Sequence, residues 1–153
     1  MPKTSTTTTP YTLSKQDLEA LSAFRYQLRC FLKFSEEIIH AHDITSQQYL
    51  LMLHVRGFPD REYASVGELA ERLQLVPHGA LALVQRCEKR GLVQRQQSEH
   101  DKRTVLVSLT DAGNQILEQL AYLHKEELTA VGKHFHLPFE HPLAATVINT
   151  DSL

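Results

Sequence analysis

With 153 residues, the chain has room for one compact domain, or for one domain plus the long helices of an oligomer interface, but not for two independent enzymes. Its 42% hydrophobic and 22% charged content argues against a disordered chain, a collagen-like repeat and a disulfide framework. Sixteen basic against eighteen acidic side chains leave a net −2, so total charge announces neither a polyanion partner nor a solvating acidic tail.

The distribution says more than the total. Residues 1–53 carry five basic and five acidic side chains, residues 54–107 nine and seven, and residues 108–153 two and six, giving 0, +2 and −4. A mildly basic centre suits a polyanion-binding middle on a different scaffold, but at +2 residue position has to carry the argument. Cys30 and Cys87 lack CxxC spacing and no export leader is visible, which points to a reducing cytoplasm. No apolar run approaches the roughly 18 residues needed to cross a bilayer, so no membrane role is expected. The Thr-rich residues 1–12 read as a flexible tail.

From Leu13 to His42 there is no Gly or Pro, and apolar side chains recur at Leu18, Leu21, Phe24, Leu28, Phe31, Leu32, Ile38 and Ile39, predicting a long helix. On a helical wheel they fill an arc of about 160°, wider than one core requires, so this helix should touch two partners. Thr45-Ser-Gln-Gln48 has capping-box spacing and opens a second helix that stops near Gly57. Phe58 to Glu62 reads as a polar turn, and Ser65-Val-Gly-Glu68 is a second capping box launching a short third helix. Pro77 starts a fourth helix ending at Arg90-Gly91, where Gly91 can take the left-handed cap and Lys89 and Arg90 complement the helix dipole.

The hydrophobic period then changes. Residues 92–96 and 104–109 read as two strands of a hairpin, joined by the polar loop Ser98 to Arg103. Thr110 caps a last long helix bearing Ile116, Leu117, Leu120, Leu123, Leu128 and Val131, and residues 134–153 form a short tail or an extra helical turn. The fold class expected is mainly α with a small β-hairpin. A winged helix-turn-helix at 45–109 is flanked by dimerisation helices at 13–44 and 110–133. Within 66–85, apolar Leu69, Leu73, Leu75, Ala80 and Leu83 can lock two short helices, with small Ala70 where they cross. A charged hairpin directly after this pair makes a winged helix-turn-helix a better reading than a generic helix pair.

Four strings, Thr45-Ser-Gln-Gln-Tyr-Leu-Leu, Val66-Gly-Glu-Leu-Ala-Glu-Arg-Leu, Glu88-Lys-Arg-Gly-Leu-Val, and Asp101-Lys-Arg103 followed by Val-Leu-Val-Ser-Leu-Thr-Asp-Ala-Gly, resemble the MarR family of bacterial transcription factors over about residues 14–131. The resemblance implies a homodimer whose terminal helices interlock, a recognition helix in each major groove and wings in the minor groove. It also implies repression relieved by a small effector, often an aromatic acid or phenol, or by cysteine oxidation. No cofactor or enzymatic activity is implied. Double-stranded DNA is the expected partner, on a pseudo-palindromic operator with half-sites about ten base pairs apart.

On the outer face of the recognition helix, Pro77, His78, Leu81, Ala82, Gln85 and Arg86 are candidate DNA contacts. Gln85 can pair two-pronged with adenine, His78 can donate to a base edge or phosphate, and Leu81 or Ala82 can touch a thymine methyl. Gly79 weakens the helix but lets the backbone approach DNA closely. Lys102 and Arg103 lie at the wing tip, where Arg103 suits a narrow minor groove. Asp101 either orients Arg103 or caps the loop backbone, and Arg95 is either an Asp101 partner or a phosphate contact.

Arg25, Phe31, Phe34, Tyr49, Met52 and His54 can line an effector crevice between the first two helices and the last one, although aromatic and Met side chains at helical spacing are more often plain core. Glu37-Ile-Ile-His40 has di-metal spacing without the second copy such a site needs, and His134, His136 and His141 form only a loose cluster. Cys87 fits a core position, and Cys30, beside Arg29, can be a redox thiol or simply buried. The alternatives to a ligand-relieved repressor are a winged-helix interaction module without DNA, a redox-sensing regulator using Cys30 or Cys87 and, more remotely, a metal-binding helical enzyme.

Overall fold

A computed structural model describes residues 13–132. The tails expected at 1–12 and 134–153, and the cluster of His134, His136 and His141, lie outside the described residues. The elements in chain order are α1 (Lys15–Ala41), α2 (Ser46–Arg56), β1 (Tyr63–Ser65), α3 (Val66–Leu73), α4 (Pro77–Lys89), β2 (Val93–Gln97), β3 (Val105–Leu109) and α5 (Asp111–Gly132).

Local chemistry sets the helix starts. Thr45 and Ser65 both accept from the N–H three residues on, at 3.1 Å each, while Gln48 and Glu68 reach back to the cap N–H. Ser14 and Asp17 form a third such box at α1, and the hydrogen bonds from Ser14 hold the Asp17 carboxyl below its usual range. Pro77 occupies the first turn of α4, and Gly91 takes φ +71° just beyond its end, a conformation that costs glycine least.

The sheet corrects one expectation, because it has three antiparallel strands in the order β1-β3-β2 rather than a two-stranded hairpin. Tyr63, Ala64 and Ser65 lie opposite Ser108, Val107 and Leu106. Three residues are too few to display alternation, and Ser65 reads first as a helix cap, so β1 leaves no separate trace in the sequence.

One core joins the lobe. Leu51, Met52 and Val55 of α2 pack with Leu69, Leu83, Val84, Cys87, Val107, Leu117 and Leu120, all of them buried. The centrality of α2 matters below, since whatever projects from it is rigidly placed. The first turn of α5 is locked to the lobe as well. The Thr110 N–H donates to the Leu92 carbonyl at 3.1 Å, its hydroxyl donates to the Gly91 carbonyl at 2.5 Å, and Gly113 lies directly against the Leu92 main chain. By contrast α1 buries only Ile39 fully, leaving Leu18, Leu21, Tyr26 and Leu32 exposed, and α5 exposes Tyr122, Leu123 and Leu128. The chain itself covers only part of the wide apolar arc read from its sequence.

Candidate nucleic-acid interface

α3 ends on Gln74, in the left-handed conformation at φ 54°, and the Leu75 N–H returns to the Ala70 carbonyl at 2.9 Å. That tight turn packs α3 on α4, with Leu69, Ala70, Ala80 and Leu83 all buried, and so presents the other side of α4 outward. Pro77, His78, Gln85 and Arg86 are exposed there, with Gly79, Leu81 and Ala82 half-buried between them. A Cβ at Gly79 would meet nothing closer than Val76 Cγ2 at 3.4 Å, so packing inside the chain does not demand glycine there.

The recognition helix and the wing share an open groove of about 510 Å³. Ser65, Val66 and Gly67 at the start of α3, Pro77, His78 and Leu81 of α4, and Arg103, Thr104 and Val105 of the wing line it. Among the described residues, no ion pair engages Arg86, Lys102 or Arg103. Of these, Arg103 lines the groove beside three helix-start residues with no carboxylate to neutralise it, an arrangement suited to phosphate.

The structure gives Asp101 and Arg95 separate partners. Asp101 accepts from the Arg103 N–H at 2.9 Å and from the Thr104 hydroxyl at 3.3 Å, while its carbonyl accepts from the Thr104 N–H at 2.9 Å. It shapes the main chain that carries Arg103 and leaves the guanidinium free. Arg95 is not an Asp101 partner: its Nε and one terminal nitrogen both meet Glu88 Oε2 at 2.9 Å, tying β2 to the end of α4. The reason is register, since Arg95 lies opposite Val107, well back from the tip.

Sequence reasoning missed Arg61. Its guanidinium donates to both oxygens of Glu68 at 2.6 and 3.1 Å, and Glu68 also accepts from the Ser65 N–H at 2.8 Å, so the capping box at the groove's edge is braced from outside. The Arg61 bond is the largest cause holding the Glu68 carboxyl below its ordinary range. Arg61 and Arg72 both stack on the Phe58 ring, at 4.3 and 3.8 Å from its centroid.

A second cavity, about 400 Å³ and open to solvent, lies between α2 and α5, lined by Tyr49, Leu53, Ala121, His124, Lys125, Leu128 and Thr129. Its centre is His124, another residue that no sequence pattern singles out. Tyr49 stacks on it at 4.7 Å and 12°, and Phe31 and Phe34 meet it edge-on at 6.0 and 6.3 Å. The Leu120 carbonyl, 2.6 Å from Nδ1, can only accept, so Nδ1 carries a proton; in the neutral ring Nε2 then accepts from the Ser35 hydroxyl, also at 2.6 Å. Burial pushes the Tyr49 hydroxyl above its usual pKa.

The other three residues expected in this crevice lie elsewhere. Met52 is wholly enclosed in the core. His54 is lowered in pKa by burial first and by Arg72 second, which places it toward α3. Arg25 stands on an outer groove of α1 with Arg29 and Lys33.

Glu37 pairs with Lys33 at 3.9 Å, and no three His, Cys, Asp or Glu side chains among the described residues are placed to share a metal ion. Cys30 is exposed and Cys87 buried. Burial pushes the Cys87 thiol up to about 11, so at neutral pH it is a protonated core group and a poor nucleophile. Cys87 is therefore expected to resist maleimide in the native protein and to react only after unfolding, as read by mass spectrometry; native labelling at pH 7 would contradict its placement. Because the folded pKa is the higher one, the unfolded thiol ionises first. Stability should fall as pH rises from about 9 toward 11, a loss that Cys87→Ala lacks.

α3, the turn, α4 and a three-stranded wing define a winged helix-turn-helix protein. A family model described as MarR family matches residues 42–104. The chain is 30% identical over 110 residues to the uncharacterized HTH-type transcriptional regulator YkoM of Bacillus subtilis, covering 69% of this chain and 68% of that protein. A MarR family protein from Bacillus stearothermophilus superposes with a TM-score of 0.68 at 25% identity, over 82% of this chain and 86% of that one. A point mutant of MepR from S. aureus, bound to an oligodeoxyribonucleotide, gives 0.60 at 18%, over 74% and 81%. The chain belongs to the MarR family of transcriptional regulators; the proteins it matches are regulators and not enzymes. No helix among the described residues is long and apolar enough to cross a membrane.

Proposed function

We propose that this chain is a homodimeric, sequence-specific repressor of transcription that binds double-stranded DNA in the cytoplasm and is released by a small aromatic or phenolic effector. The observation that carries the reading is the shared groove: the start of the recognition helix and the Arg103 wing face one open surface, and among the described residues no ion pair neutralises Arg103 there. MepR, of like fold, has been captured on an oligodeoxyribonucleotide. Residues 45–109 would form the DNA-binding unit. The exposed apolar stripes of α1 and α5, within 13–44 and 110–133, would meet a second copy, since such continuous apolar surface favours association. The contacts read from the sequence, Pro77, His78, Gly79, Leu81, Ala82, Gln85, Arg86, Lys102 and Arg103, fit this surface. Arg95, neutralised by Glu88, and Asp101, bound to the tip backbone, would act indirectly.

The α2–α5 cavity suits the effector, with Tyr49 and His124 offering ring faces and Lys125 a cation for a carboxylate or phenolate. A ligand there would relieve repression by favouring a lobe spacing that misfits two half-sites. A mobility shift with DNA flanking the chain's own gene tests the reading at two salt concentrations. Binding should weaken by about 10³ or more between 50 and 200 mM salt if several phosphates are neutralised on each half-site. Binding no tighter than to random DNA would favour a winged-helix interaction module.

A further inference from the structure

We infer that Arg56 is a positioning residue that sets the angle at which α5 leaves the DNA-binding lobe, and through that angle the half-site spacing the dimer accepts. The inference rests on the dimeric, two-half-site reading above. Arg56 is the last residue of α2, the helix whose Leu51, Met52 and Val55 are fully buried, so its backbone is a fixed post within the lobe. Its guanidinium donates to Asn114 Oδ1 at 2.5 Å, and pairs with Glu118 at 3.8 Å and Glu62 at 3.3 Å. Asn114 and Glu118 stand one turn apart on α5, on the same face of the helix. Nη1 faces both successive turns of α5 while Nη2 is held by Glu62 before β1, so the planar guanidinium is anchored from the lobe side and resists tilting of the helix as well as sliding.

The lever is long. α5 has 22 residues, or about 33 Å at 1.5 Å per residue, so a tilt of about 5° at its base moves the far end by about 3 Å. One base-pair step is about 3.4 Å and turns the next half-site by about 35°, so a displacement of that size is what separates one spacing from the next. The first turn of α5 is already pinned at Thr110 and Gly113. These contacts fix a pivot point, Leu117, Leu120 and His124 seat the helix further along, and Arg56 adds a polar restraint on its direction between them. Glu62 and Glu118 are largely exposed, which makes the cluster a poor source of stability and lets its geometric role be separated from folding.

The test uses the full chain. A palindromic site is first selected from random duplex DNA, and two derivatives carry one base pair more or one fewer between the half-sites. Anisotropy titrations then compare wild type with Arg56→Gln, Asn114→Ala and the exposed-site variant Glu118→Gln, each checked by thermal unfolding. Wild type is expected to prefer its selected spacing by about tenfold or more. Arg56→Gln and Asn114→Ala should reduce that preference to less than about threefold, Glu118→Gln should reduce it part-way, and none should move the melting temperature by more than a few degrees. Variants that lose affinity equally on all three sites, or that keep the wild-type preference, overturn the inference. A selection that returns no paired half-sites overturns the dimer reading and the inference with it, whereas paired sites with unchanged spacing preference overturn the inference alone.

Discussion

Gly113→Ala is expected to cost about 3 kcal/mol of folding stability, at the upper end of what overpacking usually costs. An added Cβ would overlap the Leu92 carbonyl oxygen outright and lie 3.0 Å from its carbon and 3.3 Å from its Cα. Side chains can rotate away from such a contact, but here both surfaces are main chain, and the same carbonyl receives the Thr110 N–H that seats α5. The gain in helix propensity on replacing glycine, about 1 kcal/mol, is too small to reverse the sign. Thermal unfolding should show a melting temperature lower by roughly 10 °C. Gly91→Ala makes the comparison informative. Nothing lies within 4 Å of its added Cβ, and only the φ of +71° is strained, so it should cost about 1 kcal/mol. If the two variants melt together, the close approach of α5 to Leu92 is not what fixes the helix to the lobe.

What the sequence revealed and what it hid divide along a physical line. Capping boxes at Thr45 and Ser65, Pro77 at a helix start and Gly91 at a helix end are decided by residues within four positions of one another, and all are found in place. The outward face of α4 was legible for the same reason, because periodicity alone separates Ala80 and Leu83 from His78 and Gln85. The features that escaped depend on residues brought together from afar. Arg56 meets Asn114 and Glu118 across about 60 positions, Ser35 meets His124 across 89, and β1 exists only because β3 passes beside it. His124 stands in the polar run His-Lys-Glu-Glu, where nothing marks it as the one buried member. Arg95 and Asp101 show the intermediate case. Both lie in the wing as expected, but Arg95 meets Glu88 and Asp101 meets the tip backbone because strand register separates them, and charge proximity in sequence is a poor guide to that.

Arg103→Ala is expected to weaken binding to every operator variant by about 30- to 160-fold and to lower the steepness of the salt dependence by about two. A groove-inserted arginine contributes on the order of 1–1.5 kcal/mol, and the proposed dimer presents two of them, so the losses combine to about 2–3 kcal/mol per complex. Each neutralised phosphate adds about one to the slope of affinity against salt, which gives the change of two. Arg103 is exposed and has no ion-pair partner among the described residues, so its removal leaves no buried charge stranded and the melting temperature should stay within about 2 °C. Arg95→Ala should weaken binding far less, because Glu88 already neutralises that guanidinium at 2.9 Å. Asp101→Ala should fall between them: it frees the tip backbone that holds Arg103 in position but leaves the cation itself available, so affinity drops while the salt slope stays near wild type. That split between affinity and slope separates a residue that touches the phosphate backbone from one that places the residue touching it. Equal salt slopes for wild type and Arg103→Ala would remove the wing from the DNA contact and leave α4 to carry binding alone.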